Sequence, residues 1–76
     1  MRIAISQTQS QHGHIEASLA VMRQTAAAAL AQEAELVIFP EMFLTGYNIG
    51  AAVFKLAEAV DGPSSQKAAA IARTAG

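Results

Sequence analysis

Glu41 follows directly on "LVIFP", a run of branched and aromatic residues closed by Pro40. A carboxylate taken part-way out of water holds its proton more tightly and can act as a general base near neutral pH. Pro40 would end the hydrogen-bond ladder of a strand and fix the direction from which Glu41 projects. Spacing alone leaves a plainer reading open, in which Glu41 is an ordinary polar residue at a strand end.

Two other groups have types and spacing that could do chemistry. Ser64 and Lys67 form an S-x-x-K pair, a spacing that puts both side chains on one helical face in serine acyl-transferring enzymes. The companion motifs of those enzymes are missing, and Ser64 follows Gly-Pro at a helix start. A capping hydroxyl that accepts a backbone N–H is the better account. His12 and His14 lie two residues apart in a polar stretch with no third ligand type beside them. That is weak ground for a metal, and surface histidines explain them, so no metal or cofactor is expected.

The elements that must hold Glu41 can be read from hydrophobic spacing. "RIAISQT" places Ile3 and Ile5 on one face with a β-branched bias and reads as a strand. "QSQHGH" is a polar connection in which Gly13 can turn the chain. From about His14 to Ala34 the apolar positions Ile15, Leu19, Met22, Ala26 and Leu30 form one helical stripe. "ELVIFP" is short, continuous and apolar, as expected of a strand buried on both faces. The connection is long enough for a crossover, so the two strands should be parallel neighbours. "MFLTGYNIG" is irregular, a helical turn or two follows around Ala51 to Ala59, and "VDGPS" is a turn. Pro63 and Ser64 then open a further helix, and Gly76 stands where a cap glycine would.

Bulk properties set the class. The 76 residues carry a net charge of −1, and 53% are hydrophobic against 14% charged. Much of the apolar content is alanine, in "TAAAALA" and "KAAAIARTA", which suits helices packed closely on more than one side. A chain this short buries only about 60% of its unfolded surface. With no cysteine, neither a disulfide nor a thiolate zinc site can reinforce it. No basic patch with interleaved aromatics points to nucleic acid. There is no signal-peptide core, and no apolar run reaches the roughly 20 residues that span a bilayer. The expectation is a cytoplasmic protein without nucleic-acid or membrane partners. The closing helix has no strand after it, a break in an alternating α/β pattern. Residues 1–76 are therefore read as the incomplete N-terminal part of a single domain.

"LVIFPEMFLTGY" resembles the first signature segment of the nitrilase superfamily, the carbon–nitrogen hydrolases. The matching residues are Phe39, Pro40 and Glu41, then Leu44, Thr45, Gly46 and Tyr47. "RIAISQTQ" is similar to the strand with which members begin, and "DGPSSQKAAAIA" to a later turn and helix. The similarity runs end to end and covers the first quarter to third of a usual family domain. It implies a four-layer αββα sandwich, of which this chain would be the N-terminal strand-helix-strand-helix portion. It also implies a Glu–Lys–Cys mechanism acting on amides, carbamoyl compounds or nitriles, with Glu41 as the base. Tyr47 is carried over as a pocket neighbour of Glu41, and a half-buried aromatic with a locally satisfied hydroxyl remains the alternative. Thr45 and Gly46 would shape the loop.

The departure from that pattern is plain. There is no cysteine, and Lys55 and Lys67 both fall in helical segments ahead of where the family's lysine would stand. The lysine and the nucleophile are expected beyond Gly76, and the 76 residues alone are expected to be inactive. When full length, the protein is expected to be a homo-oligomer acting on a small amide or nitrile. The alternative is a non-catalytic short α/β interaction module that recruits a partner through its apolar helices and open sheet edge. A nucleotide-binding unit is disfavoured, because "QTQSQHGH" carries no glycine fingerprint for a phosphate.

Overall fold

The computed structural model describes residues 1–9, 13–46 and 50–75. Two short strands, β1 (Ile3–Ile5) and β2 (Leu36–Ile38), flank a long helix, α1 (Ile15–Ala31). A single turn and a half, α2 (Ala52–Leu56), leads to the closing helix α3 (Pro63–Ala75). The strands pair in parallel, Ile3 beside Leu36, Ala4 beside Val37 and Ile5 beside Ile38. Backbone bonds extend the ladder at both ends: Glu35 N–H donates to Arg2 O at 2.9 Å and Ser6 N–H to Ile38 O at 2.8 Å. This is the small α/β unit that the strand, helix, strand order called for.

The core lies where α3 crosses α1. Leu19 is fully buried, with Ala26 and Ile71 against it and Ile15, Met22, Leu44 and Ala75 packed around them. The four-three-four spacing of Ile15, Leu19, Met22 and Ala26 puts those residues on one side of α1. Burying Leu19 contributes about 1.5–3 kcal/mol. The stripe departs from expectation at its end, where Ala29 is buried and Leu30 is half exposed. The small alanine face admits α3, while Leu30 stands at the rim of the groove between the two helices.

Helix α1 also stops sooner than Ala34. Its last carbonyls are closed by a Schellman motif, with Glu33 N–H donating to Leu30 O at 2.8 Å and Ala34 N–H to Ala29 O at 3.0 Å. That motif needs a left-handed residue, and Glu33 supplies it at φ 64° although glycine or asparagine would do so with less strain. Its carboxylate lies 3.8 Å from the Arg2 guanidinium, but both side chains are mostly exposed and the pair adds little. Glu33→Gly is therefore expected to raise stability by about 0.5–1 kcal/mol through relief of strain. A thermal melt of the variant beside the parent chain reads the difference.

The sheet has one covered face and one open face. Val37 turns toward the helices and lines a hollow with Met22, Ala26 and Ile71. On the other face Ile3, Ile5, Leu36 and Ile38 are 50, 69, 44 and 46% exposed. The expectation that "ELVIFP" is buried on both faces is thus corrected. The helices among the described residues pack on one side only, so the second apolar face of β2 stands open. No helix among the described residues is long and apolar enough to cross a membrane.

Candidate active site at the carboxyl end of the sheet

Parallel pairing brings the carboxyl ends of β1 and β2 to the same end of the sheet, where ligands of open α/β folds bind. The last rung is the bond from Ser6 to Ile38. Beyond it Pro40 has no N–H to continue the ladder, and the chain enters a tight turn over residues 41–45. Phe39 and Phe43 close back on each other across that turn, their ring centroids 5.1 Å apart at 35°. Phe43 is buried. Met42 takes a left-handed φ of 54°, and its carbonyl accepts the Gly46 N–H at 2.8 Å.

Two further contacts hold the same end together. Gly13, just ahead of α1, donates its N–H to Thr45 O at 2.7 Å and so ties the connection after β1 to the turn after β2. The hydroxyls of Ser6 and Thr8 share a hydrogen bond of 2.8 Å. Gly46 is buried at φ 99°, a conformation that favours glycine, and Thr45 is half-buried beside it. Those two residues shape the loop, as expected.

Glu41 sits at this end of the sheet, but its side chain is exposed. The partly desolvated carboxylate anticipated above is corrected for the described residues. The turn sends Phe43 inward and leaves Glu41 at the outside of the bend, and none of three hollows in the surface has Glu41 in its lining. Tyr47, the expected pocket neighbour, and His12 lie outside the described residues. His14 is exposed and immediately precedes α1, where its side chain makes no capping bond. No group of three His, Cys, Asp or Glu side chains among the described residues could hold a metal.

The Ser64–Lys67 pair is engaged elsewhere. Lys67 Nζ pairs with Glu16 in the first turn of α1. Ser64 lies inside the first turn of α3, since the bond from Gln66 N–H to Gly62 O at 3.1 Å makes Gly62 the cap position. The Glu58 carboxylate accepts both the Ser64 N–H at 2.7 Å and the Ser64 hydroxyl at 2.6 Å. The reading of Ser64 as a capping acceptor is therefore corrected: its hydroxyl donates, and Glu58 does the capping from six residues upstream. A negative group there also suits the positive end of the helix dipole. A Cβ on Gly62 would lie 2.9 Å from Glu58 Cβ and 3.0 Å from Ala59 O, so glycine is what the close approach requires.

The bonds from Ser64, its hydroxyl first and its N–H second, hold the Glu58 carboxyl below its ordinary value of 4.5, with the Lys67 charge adding to them. A lowered value in the folded state means that the cap's contribution is present above pH 4.5 and is lost as pH falls through the lowered value. Glu58→Gln should reduce stability at pH 7, and the gap from the parent chain should close on acidification. Urea midpoints taken at pH 7 and pH 3 test this, and a gap that stays constant would count against the cap.

The sequence profile of the family described as "Carbon-nitrogen hydrolase" matches residues 2–76. The chain belongs to the carbon–nitrogen hydrolase family. Within it, the chain is 48% identical over 77 aligned positions to a protein of Pseudomonas protegens described as "Hydrolase in pqqF 5'region". That alignment takes in 100% of this chain and 26% of the relative, so the chain spans about a quarter of the relative's length. No solved structure matches. Family membership confirms the resemblance first seen in "LVIFPEMFLTGY", and the carbon–nitrogen hydrolase segment described here is its strand, helix, strand and turn.

Proposed function

We propose that the full-length protein hydrolyses a non-peptide carbon–nitrogen bond of the amide, carbamoyl or nitrile type, with Glu41 as general base. The observation that carries this reading is the position of Glu41, on the turn beyond the carboxyl end of β2, in a chain whose family is named for that bond. Residues 1–76 contain no cysteine, so on this reading the nucleophile would come from another part of the full-length protein. So would the lysine that the family resemblance implies, since Lys55 and Lys67 fall in helical segments. They would meet Glu41 in a four-layer αββα sandwich, whose second sheet would cover Ile3, Ile5, Leu36 and Ile38.

In an amide substrate the Glu41 carboxylate takes the proton from the cysteine thiol, and the sulfur attacks the carbonyl carbon. The lysine ammonium stabilises the negative charge that develops on the oxygen. The tetrahedral intermediate collapses to a thioester, and the nitrogen leaves with the proton that Glu41 had accepted. Glu41 then draws a proton from water, which attacks the thioester and frees the acid and the thiol. The scheme draws on no cofactor. Tyr47 would border the substrate, short aliphatic amides are the preferred class, and the protein would act as a cytoplasmic homo-oligomer.

The test is ammonia release by the purified full-length protein from short aliphatic amides, carbamoyl compounds and nitriles. Intact mass measured during turnover should show an acyl adduct on one cysteine. A natural gene product of 7.9 kDa, with no release and no adduct, would sink the reading. The second reading, a non-catalytic interaction module, draws on the open apolar face of the sheet. It expects stable oligomers of the 76-residue chain and no turnover in any form.

A further inference from the structure

Glu41 is held by no bond of its own among the described residues. Its carboxylate has no hydrogen-bond partner among the described residues, it is exposed, and it sits on a turn rather than on a strand or helix. A base must nevertheless lie within about 3 Å of the proton it abstracts, and a displacement of about 1 Å costs on the order of a hundredfold in rate. Within the described residues, the backbone of the turn is what can aim it.

The residues on either side of Glu41 have the means. Phe39, two before it, and Phe43, two after it, are in ring contact at 5.1 Å, and Phe43 is anchored in the interior. The chain can fold back within those few residues because Met42 adopts φ 54°. This is an uncommon choice for methionine, which has no short polar side chain to bond locally as asparagine does. The Met42 side chain is 44% exposed, so packing of that side chain does not account for the conformation. The turn is then locked by the bond from Gly46 N–H to Met42 O. Strain kept immediately beside a reactive carboxylate, and over-determined by its surroundings, is what a pre-organised site requires.

We propose that Met42 is a positioning residue for Glu41: its left-handed backbone, held by the Phe39–Phe43 clasp, fixes the direction of the carboxylate. The inference rests on the reading of Glu41 as the base. It concerns the backbone conformation at position 42 and not the identity of the side chain there. Asparagine, which tolerates that conformation, should serve in place of methionine, whereas glycine should let the turn wander.

The test uses the full-length protein and a probe that does not depend on knowing the substrate. The rate at which iodoacetamide alkylates the active-site cysteine at pH 7, followed by mass spectrometry of its peptide, reports how well a base serves that thiol. Glu41→Gln should slow alkylation and identifies the peptide to follow. Met42→Gly should slow it by about tenfold or more while leaving the thermal midpoint unchanged or higher. Met42→Asn should keep the rate within about twofold. Phe43→Leu, which keeps an apolar anchor in the interior, should fall between the two. A Met42→Gly protein that reacts as fast as the parent, while Glu41→Gln is slow, would overturn the positioning role and leave the base intact. Equal losses in the glycine and asparagine variants would also overturn it, by assigning the effect to the methionine side chain. No cysteine slowed by Glu41→Gln would remove the base itself.

Discussion

With Glu41 as the proposed base, Glu41→Gln in the full-length protein is expected to lower amide turnover by about 10²–10⁴-fold, the range that general acid–base catalysis contributes. The amide of glutamine matches glutamate in shape and keeps a carbonyl oxygen, but it cannot take a thiol proton and release it to a leaving nitrogen. The loss should appear in kcat, since binding of the substrate does not require the proton transfer. The folded state should be little changed, because the Glu41 side chain is exposed and bonds to nothing among the described residues. Ammonia release at saturating substrate, with a melt of the same sample, measures both. Turnover near that of the parent would take Glu41 out of the mechanism.

The second large effect is on the fold. Leu19→Ala is expected to cost about 2–5 kcal/mol, the transfer term for the lost methyl and methylene groups plus the cavity they leave. Leu19 is fully buried in a cluster with Ala26 and Ile71, and Ile15, Met22, Leu44 and Ala75 pack around them. For a chain of 76 residues, total stability at roughly 0.05–0.15 kcal/mol per residue is about 4–11 kcal/mol. The variant should therefore be largely unfolded or melt well below the parent, which circular dichroism reads directly. A midpoint within a degree or two of the parent would mean that the α1–α3 contact is not the core.

Much of the architecture was legible because periodicity reports it. The spacing of Ile15, Leu19, Met22 and Ala26 located α1 and its buried side. "RIAISQT" and "ELVIFP" located the two strands, and the long connection between them required the parallel pairing. Pro63 marked the start of α3 at the first helical residue. Spacing alone left Glu41 open as an ordinary strand-end carboxylate; the resemblance carried by "LVIFPEMFLTGY" singled it out, and the family profile agrees with that resemblance.

What escaped sequence reasoning has a common physical cause: it depends on which face is covered, or on a backbone angle that no letter advertises. An apolar run such as "LVIF" announces hydrophobicity on both faces of β2, but not whether both are packed. Nothing in "QEAE" marks Glu33 as the left-handed residue of a helix cap, because glycine is the usual signal and is missing there. The reach of Glu58 to Ser64 spans an irregular stretch with no fixed period, so only coordinates show it. The left-handed Met42 was hidden in the same way, although it stands next to the residue that mattered most. The exposure of Glu41 reflects the inward turn of Phe43, a choice that the string "EMFL" leaves undetermined.

The bond from Gly13 N–H to Thr45 O has a bearing on how this chain can vary. Surface connections such as "QSQHGH" ordinarily absorb insertions and deletions at little cost. This one is clipped to the turn that carries Glu41, thirty-odd positions later in the chain. A change of length near Gly13 would tug on the turn that carries Glu41, and substitutions at the two places would not add independently. Gly13, in a stretch that looks dispensable, is thus mechanically coupled to the candidate site, and a designer trimming loops should leave it in place.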